Sequence, residues 1–300
     1  MKNRSKVRHG LVDNLFHTLN MLIMVIVILI TLIPFLNVAS KAVSGGGAVS
    51  AGLVSIFPVD FQRETVKYIM RDSQFQRAME NTVFITALGT AGGMILTILT
   101  AYPLSKEHLR GRKGFMYIYI FIMLFSGGMV PNFLLIQKLG FYDTIWAVTV
   151  PGAVSVFYMI ILRTNFEQIP DALEEAAIID GMNDLQILFR IFIPLSLPIY
   201  AALILFFAVW HWNSFFDAFI YLQTKSRYPL QVILKEIVTA NTLNDLGNSA
   251  VGQSAMETTE LVGENLKCAT IIVVMLPVRM VYPFVQKYFV KGMMIGAVKG

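Results

Sequence analysis

The residues whose types and spacing could do chemistry are gathered in one stretch, NFEQIPDALEEAAIIDGMNDLQILFRIFIPLSLP, from Asn165 to Pro198. The chemistry they suit is docking on another protein. Glu175 and Asp180 can offer carboxylates to basic groups, and Ala176 and Ala177 are small enough for a partner's backbone and aromatic rings to come close. Leu185, Ile187, Leu188 and Phe189 supply apolar surface that needs covering. Local signals shape the stretch into two short helices. Pro170 stops what precedes it, and Asp171 can cap a helix, with Glu174 three residues on completing a capping-box-like arrangement. Ala172 to Asp180 are good helix formers, and Gly181 suits the left-handed position that ends a helix. Asn183 then caps a second helix, with Gln186 three residues later. That helix runs to Pro194, and Pro198 bends the path into the next apolar run. A rigid helix–elbow–helix transmits a push that a loose loop would absorb. The same pattern also fits an amphipathic helix lying on a bilayer, and the residues alone leave both readings open.

Bond-making chemistry has little to work with. The sequence contains no HExxH, no GxSxG and no metal-ligand cluster among its four histidines, so no metalloprotease or nucleophile-elbow site is expected. It also lacks GxxxxGK[ST], so no nucleotide is expected on a P-loop of its own. The single cysteine, Cys268, excludes an intrachain disulfide. It sits in an apolar run and reads as a small buried residue. The expectation is a non-catalytic chain that binds no cofactor and no metal.

The elements that must position the docking stretch are membrane spans. Of the 300 residues, 56% are hydrophobic and only 14% charged, against about a quarter charged in soluble domains. The net charge of +5 does not form one basic patch; it flanks apolar runs, as topology signals do, and nucleic-acid binding is rejected. Runs of roughly 20 apolar residues occur at about Leu19 to Val38, Thr82 to Leu104, from Phe115 past Gly127, Gly128 and Pro131, Thr144 to Leu162, Ile193 to Val209 and Ala269 to Val285. That makes six spans within 19–290. Lys and Arg crowd the tail 1–18, the loop KEHLRGRKG and the tail 286–300, which puts both termini and the Asn165 loop in the cytoplasm. Segments 40–81 and 215–267 then lie outside, the second with a surface-loop composition. The first span has a basic start and Ala39-Ser-Lys-Ala42 beyond it, but its apolar run exceeds a signal peptide's and reads as an uncleaved anchor.

EEAAIIDG, followed by Ile191, Pro194 and Pro198, closely resembles the EAA signature of permease subunits in bacterial ABC importers. Glu175, Ala176, Ala177, Asp180, Gly181, Ile191 and Pro194 all fall at family positions, while Met182 stands where Ala is common. Gly127 to Phe166, His211 to Leu222 and Tyr282 to Gly300 look like the carbohydrate-uptake class. They are similar to the smaller maltose permease subunit, and most to the branch for complex or acidic oligosaccharides. The resemblance implies an all-α membrane protein with six transmembrane helices of the type I ABC importer permease architecture, in a bacterial cell membrane. It implies a heterodimer with a homologous second permease subunit, two ATP-binding subunits that hold the ATP and Mg, and an extracellular solute-binding protein that delivers a carbohydrate. The EAA loop would sit in a cleft of the ATPase and move as the two ATPases close, driving alternating access. The tail with Gln286, Lys291 and Lys299 resembles tails that reach between the ATPases; the alternative is a basic anchor. The outer loop after the fifth span resembles one that contacts the binding protein.

Trp210, Trp212, Asn213, Phe216 and Asp217 stand near the outer end of the fifth span. Aromatic rings and polar groups together suit a sugar path, and they equally suit an interfacial aromatic belt. His211 reads as a hydrogen-bonded structural residue, and Arg279 as snorkelling from the sixth span. Gly89 and Gly93 form a GxxxG suited to close internal packing. Gly127, Gly128 and Pro131 break or kink the third span, which favours a lining role. The rival reading, an ion-gradient secondary transporter, calls for inverted repeats and paired intramembrane charges; the sequence shows neither.

Overall fold

The computed structural model describes residues 11–247 and 263–297. Among them every regular element is a helix, apart from an isolated antiparallel bridge between Ser44 and Phe61. The chain divides into two compact units, Met1–Met70 with Ile237–Val273 and Arg71–Glu236 with Val274–Gly300.

In the first unit, α1 (Leu11–Ala42) is long and apolar enough to cross a membrane, and none of its apolar window is buried within the chain. Such a helix needs lipid or another protein around it. Two short helices follow, α2 (Gly46–Ser50) and α3 (Glu64–Arg71). The stretch between them is stitched to the end of α1. Ser40 Oγ donates to the Ile56 carbonyl at 2.5 Å, Asn37 Nδ2 to the Ser55 carbonyl at 2.8 Å, and the Val59 amide to Ser44 Oγ at 3.1 Å. The segment just after residue 262 joins this set: Asn265 Nδ2 donates to the Ser44 carbonyl, and Lys41 pairs with Glu264 at 2.6 Å. Cys268 is buried, as its apolar surroundings suggested.

The second unit is organised by α4 (Ser73–Ser105), capped by Asp72, whose carboxylate accepts the Phe75 amide at 2.7 Å. With 33 residues it is about 50 Å long at 1.5 Å per residue, enough to cross a membrane with residues to spare. After it come α5 (Arg112–Leu124), α6 (Met129–Lys138), α7 (Trp146–Thr149) and α8 (Val156–Phe166). The docking stretch supplies α9 (Asp171–Ile179), α10 (Asp184–Ile187), a π-helical turn (Leu188–Phe192) and α11 (Ile193–Leu195). Next are α12 (Leu197–Trp212), α13 (Phe216–Tyr221), a 3₁₀ turn (Lys225–Arg227), α14 (Leu230–Gly247) and α15 (Gly263–Ala297).

Helices α8 and α12 pack along α4. The GxxxG is the seam: a Cβ at Gly89 would lie 2.3 Å from the His211 ring, and one at Gly93 2.6 Å from Phe207. Its small residues admit a neighbouring helix of the same chain, as expected. The core gathers Tyr102 from α4, Met159, Leu162 and Phe166 from α8, and Leu203 and Phe207 from α12. Ala177, Ile187, Leu188 and Phe192 of the docking stretch join the same core.

Breaks punctuate the remaining apolar runs. The third bends by 112° between α5 and α6, at Gly127–Gly128, where Gly128 has φ +88°; the break foreseen there is present. The fifth bends by 85° at Ser196. The fourth, read as one run from Thr144, is instead α7 and α8 separated by a turn at Pro151–Gly152. Pro151 cannot donate an amide to a continuing helix, and the Trp210 ring occupies the space where a Gly152 side chain would stand, 2.0 Å away. The 11 residues of α8 reach only about 16 Å, short of a hydrocarbon core of about 30 Å. Among the described residues, two helices are long and apolar enough to cross a membrane, or up to four if each bent pair is one span. The sixth apolar run lies within α15, as do Gln286 and Lys291, whereas Lys299 is outside the described residues.

Candidate functional site

The docking stretch forms a rigid elbow. Gly181 adopts φ +78°; its amide donates to the Ile178 carbonyl and the Met182 amide to the Ala177 carbonyl, each at 3.0 Å. These two bonds are the paired closure of a glycine-terminated helix. Across the elbow Asn183 and Gln186 make a reciprocal capping box, with Gln186 N to Asn183 Oδ1 at 2.9 Å and Asn183 N to Gln186 Oε1 at 3.0 Å. Both motifs follow the sequence expectation. Asp171 does not. The chain ahead of α9 turns at Pro170, so Asp171 is the first helical residue rather than the cap. Its charge still suits the positive end of the helix. Glu174, freed from a capping role, reaches Lys106 instead.

The outward surface differs from the expected one by its helical phase. Successive helical side chains point about 100° apart, so Ala176 and Ala177 cannot share a face. Ala177 is 3% exposed, inside this chain's own core, as are Ile187 and Leu188. These three therefore present nothing to a partner. Glu175, Ala176, Asp180 and Pro194 are exposed, and Ile191 is half-buried against the core. The sequence reading missed Ile178 and Ile179, the latter 85% exposed. With Ala177 facing inward, the two isoleucines beyond it fall outside the helix's buried face, and that phase was the available signal. Leu185 and Phe189, beyond the elbow, are exposed as well, and so are the carboxylate residues Glu175, Asp180 and Asp184.

One charged clasp fixes α9 to the end of α4, and a second ties the ends of α8, α5 and α4 together just ahead of it. Lys106, at the C-cap of α4, pairs with Glu174 at 2.5 Å; both side chains are largely buried. Its ammonium also lies 3.9 Å from the centroid of the Phe192 ring and 4.5 Å from that of Tyr102. Glu167 accepts from Arg163 at 2.5 Å and from Arg112, while Arg163 Nε donates to the Leu104 carbonyl at 3.0 Å. The basic loop after α4 and the docking stretch thus lie at the same end of α4, the shared side that charge distribution indicated.

A second polar girdle closes the opposite end. Asn81 Nδ2 donates to the carbonyls of Ser226 and Tyr228, and the Leu230 amide donates to Thr82 Oγ1 at 2.8 Å. Asp143 adopts φ +55° and accepts from the amides of Gln223 and Thr224, from the Thr224 hydroxyl at 2.6 Å and from Arg227 at 2.8 Å. Partial burial alone would raise its carboxyl pKa; those donors and the Arg227 charge outweigh burial and hold it below the usual value.

The five candidate path residues do not converge. Trp212 and Asn213 line an apolar groove of about 740 Å³ with Thr86, Thr90 and Met94 of α4. Trp210 instead packs on Gly152 and stands edge-on to His211. Asn213 is engaged locally, donating to the Val209 carbonyl and accepting from Gln231. Phe216 is exposed, and Asp217 is half-buried, where desolvation pushes its carboxyl pKa up. His211 is a structural residue as expected, 1% exposed against Gly89, but neither ring nitrogen forms a hydrogen bond of standard geometry.

Residues 93–295 match the family described as binding-protein-dependent transport system inner membrane component. The chain belongs to this family of ABC importer permeases, and the secondary-carrier reading is set aside. It is 40% identical to protein LplC of Bacillus subtilis (strain 168) over 271 residues, 90% of each chain. It is also 40% identical to the polygalacturonan/rhamnogalacturonan transport system permease protein YtcP of the same organism, over 91% of this chain and 94% of that one. Among solved structures it resembles a chain of a bacterial ABC transporter involved in the import of the acidic polysaccharide alginate. The TM-score is 0.84 at 34% identity, covering 96% of this chain and 100% of the other. A more distant chain shares the fold at TM-score 0.57 and 17% identity; it comes from a bacterial alginate ABC transporter in complex with alginate pentasaccharide-bound periplasmic protein.

Proposed function

We propose that this chain is the transmembrane subunit of an importer that carries an oligosaccharide, of the acidic polysaccharide class, and that its α9–elbow–α10 element seats in a separate ATP-hydrolysing subunit. The observation that carries the coupling reading is the rigid elbow itself: Gly181 and the Asn183–Gln186 box lock its shape, while Ile178, Ile179, Leu185 and Phe189 stay exposed beside the carboxylates of Glu175 and Asp180. The substrate class rests on the relatives, one a polygalacturonan/rhamnogalacturonan permease and one an alginate importer chain. The machine has six spans, the fourth crossing as the broken pair α7 and α8, with both termini in the cytoplasm, and a homologous permease covers the bare apolar face of α1. ATP and Mg belong to a pair of partner ATPases. A solute-binding protein delivers the sugar at the outer end, where Trp212 and Asn213 line the groove, while Trp210, Phe216 and Asp217 stand nearby in the chain without joining it. ATP closes the ATPases, the elbows are drawn together and the cavity opens outward; hydrolysis resets it. Gln286, Lys291 and Lys299 contribute a cytoplasmic contact with the ATPases.

Affinity purification of the chain from its native membrane tests the coupling reading. The ATPase subunits copurify with the wild type and are lost with Gly181→Pro or Glu175→Lys. Wild-type chain that brings no ATPase with it refutes the proposal. Uptake of labelled oligosaccharides from a polygalacturonan hydrolysate, present in cells with the chain and absent without it, tests the substrate class.

A further inference from the structure

The Lys106 ammonium joins three elements at one point. Its own residue closes α4, Glu174 belongs to α9, and Phe192 belongs to the π-helical turn that leads to α12. A lysine at the end of a membrane helix ordinarily extends into water. This one is drawn inward, its side chain 11% exposed against 16% for Glu174. Such burial is tolerated only with a counter-charge and aromatic faces to replace lost hydration. Both are present, since the Tyr102 and Phe192 rings that flank the ammonium also meet edge-on, 5.2 Å apart.

The route from α9 along the chain toward α12 runs through a π-helical turn and then an 85° break at Ser196. Interrupted hydrogen-bond ladders of this kind are where a helix yields. A force applied to α9 would therefore be absorbed along that route. The clasp provides a second, short route directly into α4, and α4 is locked to α12 along Gly89 and Gly93.

We propose that Lys106 is a positioning residue that makes α9 and α4 move as one body, so that displacement of the docking element is delivered to the membrane helices through the Lys106–Glu174 clasp. The inference rests on the reading of α9 as the ATPase-facing element. The test uses the whole complex, with spin labels at Ile95→Cys on α4 and Ala172→Cys on α9 in a Cys268→Ala background, and distances measured without nucleotide and with ATP and Mg. With Lys106 intact the distance distribution is unchanged on adding ATP. Lys106→Met, which keeps the stem and removes the charge, shifts and broadens it by several ångströms, while Lys106→Arg behaves as wild type. The inference is overturned if Lys106→Met stays as narrow as wild type, or if Lys106→Arg loosens equally. It is also overturned if Lys106→Met sheds the ATPase subunits, since the lysine would then be an assembly anchor. A wild-type chain that retains no ATPase subunit refutes the parent reading instead.

Discussion

Replacing Gly89 by alanine puts a methyl carbon where the structure has room for none. The added Cβ would lie 2.3 Å from both Cε1 and Nε2 of His211, well over an ångström inside the normal contact distance of about 3.5–4.0 Å. The ring cannot swing away into solvent, because His211 is 1% exposed. Overpacking of this kind costs about 1–3 kcal/mol, and a clash with a fixed ring belongs at the upper end. Helix propensity returns about 1 kcal/mol for Gly to Ala, leaving a net loss of about 2 kcal/mol. Gly92 is the internal control: it lies on the same helix, and a Cβ there meets nothing within 4 Å, so Gly92→Ala should gain about 1 kcal/mol. Two identical substitutions three residues apart should thus differ by about 3 kcal/mol, roughly a hundredfold in the unfolding equilibrium. Thermal melting of the purified complex in detergent, with SDS-induced unfolding as a second probe, measures the difference. Adding His211→Ala to Gly89→Ala should recover part of the loss, a coupling typical of residues in contact. Equal midpoints for the Gly89 and Gly92 variants would refute the internal-seam argument and move the α4–α12 contact to another face.

The polar girdle around Asp143 should be acid-labile. Because the Asp143 pKa is lowered in the folded state, its contribution is present above the unfolded value of about 3.9 and is lost as pH falls through the lower folded value. Amide exchange at residues 222–228 should accelerate in that acid range, and Asp143→Asn should show the same acceleration at neutral pH. Asn183→Ala removes the capping box that starts α10 and should cost about 1 kcal/mol, read as a lower melting temperature of the complex. The same variant should weaken retention of the ATPase subunits, because the elbow loses one of its two locks.

What was legible in the sequence was what local rules decide. The left-handed Gly181 and the Asn183–Gln186 box each depend on residues within a few positions, so residue type and spacing suffice. The GxxxG could be read as a close-packing face because only small residues permit one, although its partners, His211 and Phe207, could not be named. Helical phase was harder. Ala176 and Ala177 share a residue type, and only the inward direction of Ala177 separates them and pushes Ile178 and Ile179 outward. Pairings across long stretches of chain left no local mark. Lys106 meets Glu174 from 68 residues away, and Asp143 collects donors 80 to 84 residues on. The fourth apolar run passed as continuous because hydropathy averages over Pro151–Gly152, whereas the backbone cannot.

Photo-crosslinking from position 179 tests the central claim most directly. A photoreactive amino acid replacing Ile179, the most exposed apolar residue of α9, is irradiated in intact membranes. The account predicts one dominant adduct, with the ATPase subunit, and no labelling of Ile179→Cys by a membrane-impermeant maleimide added outside intact cells in a Cys268→Ala background. Labelling from outside, or irradiation that yields no protein adduct, would contradict it.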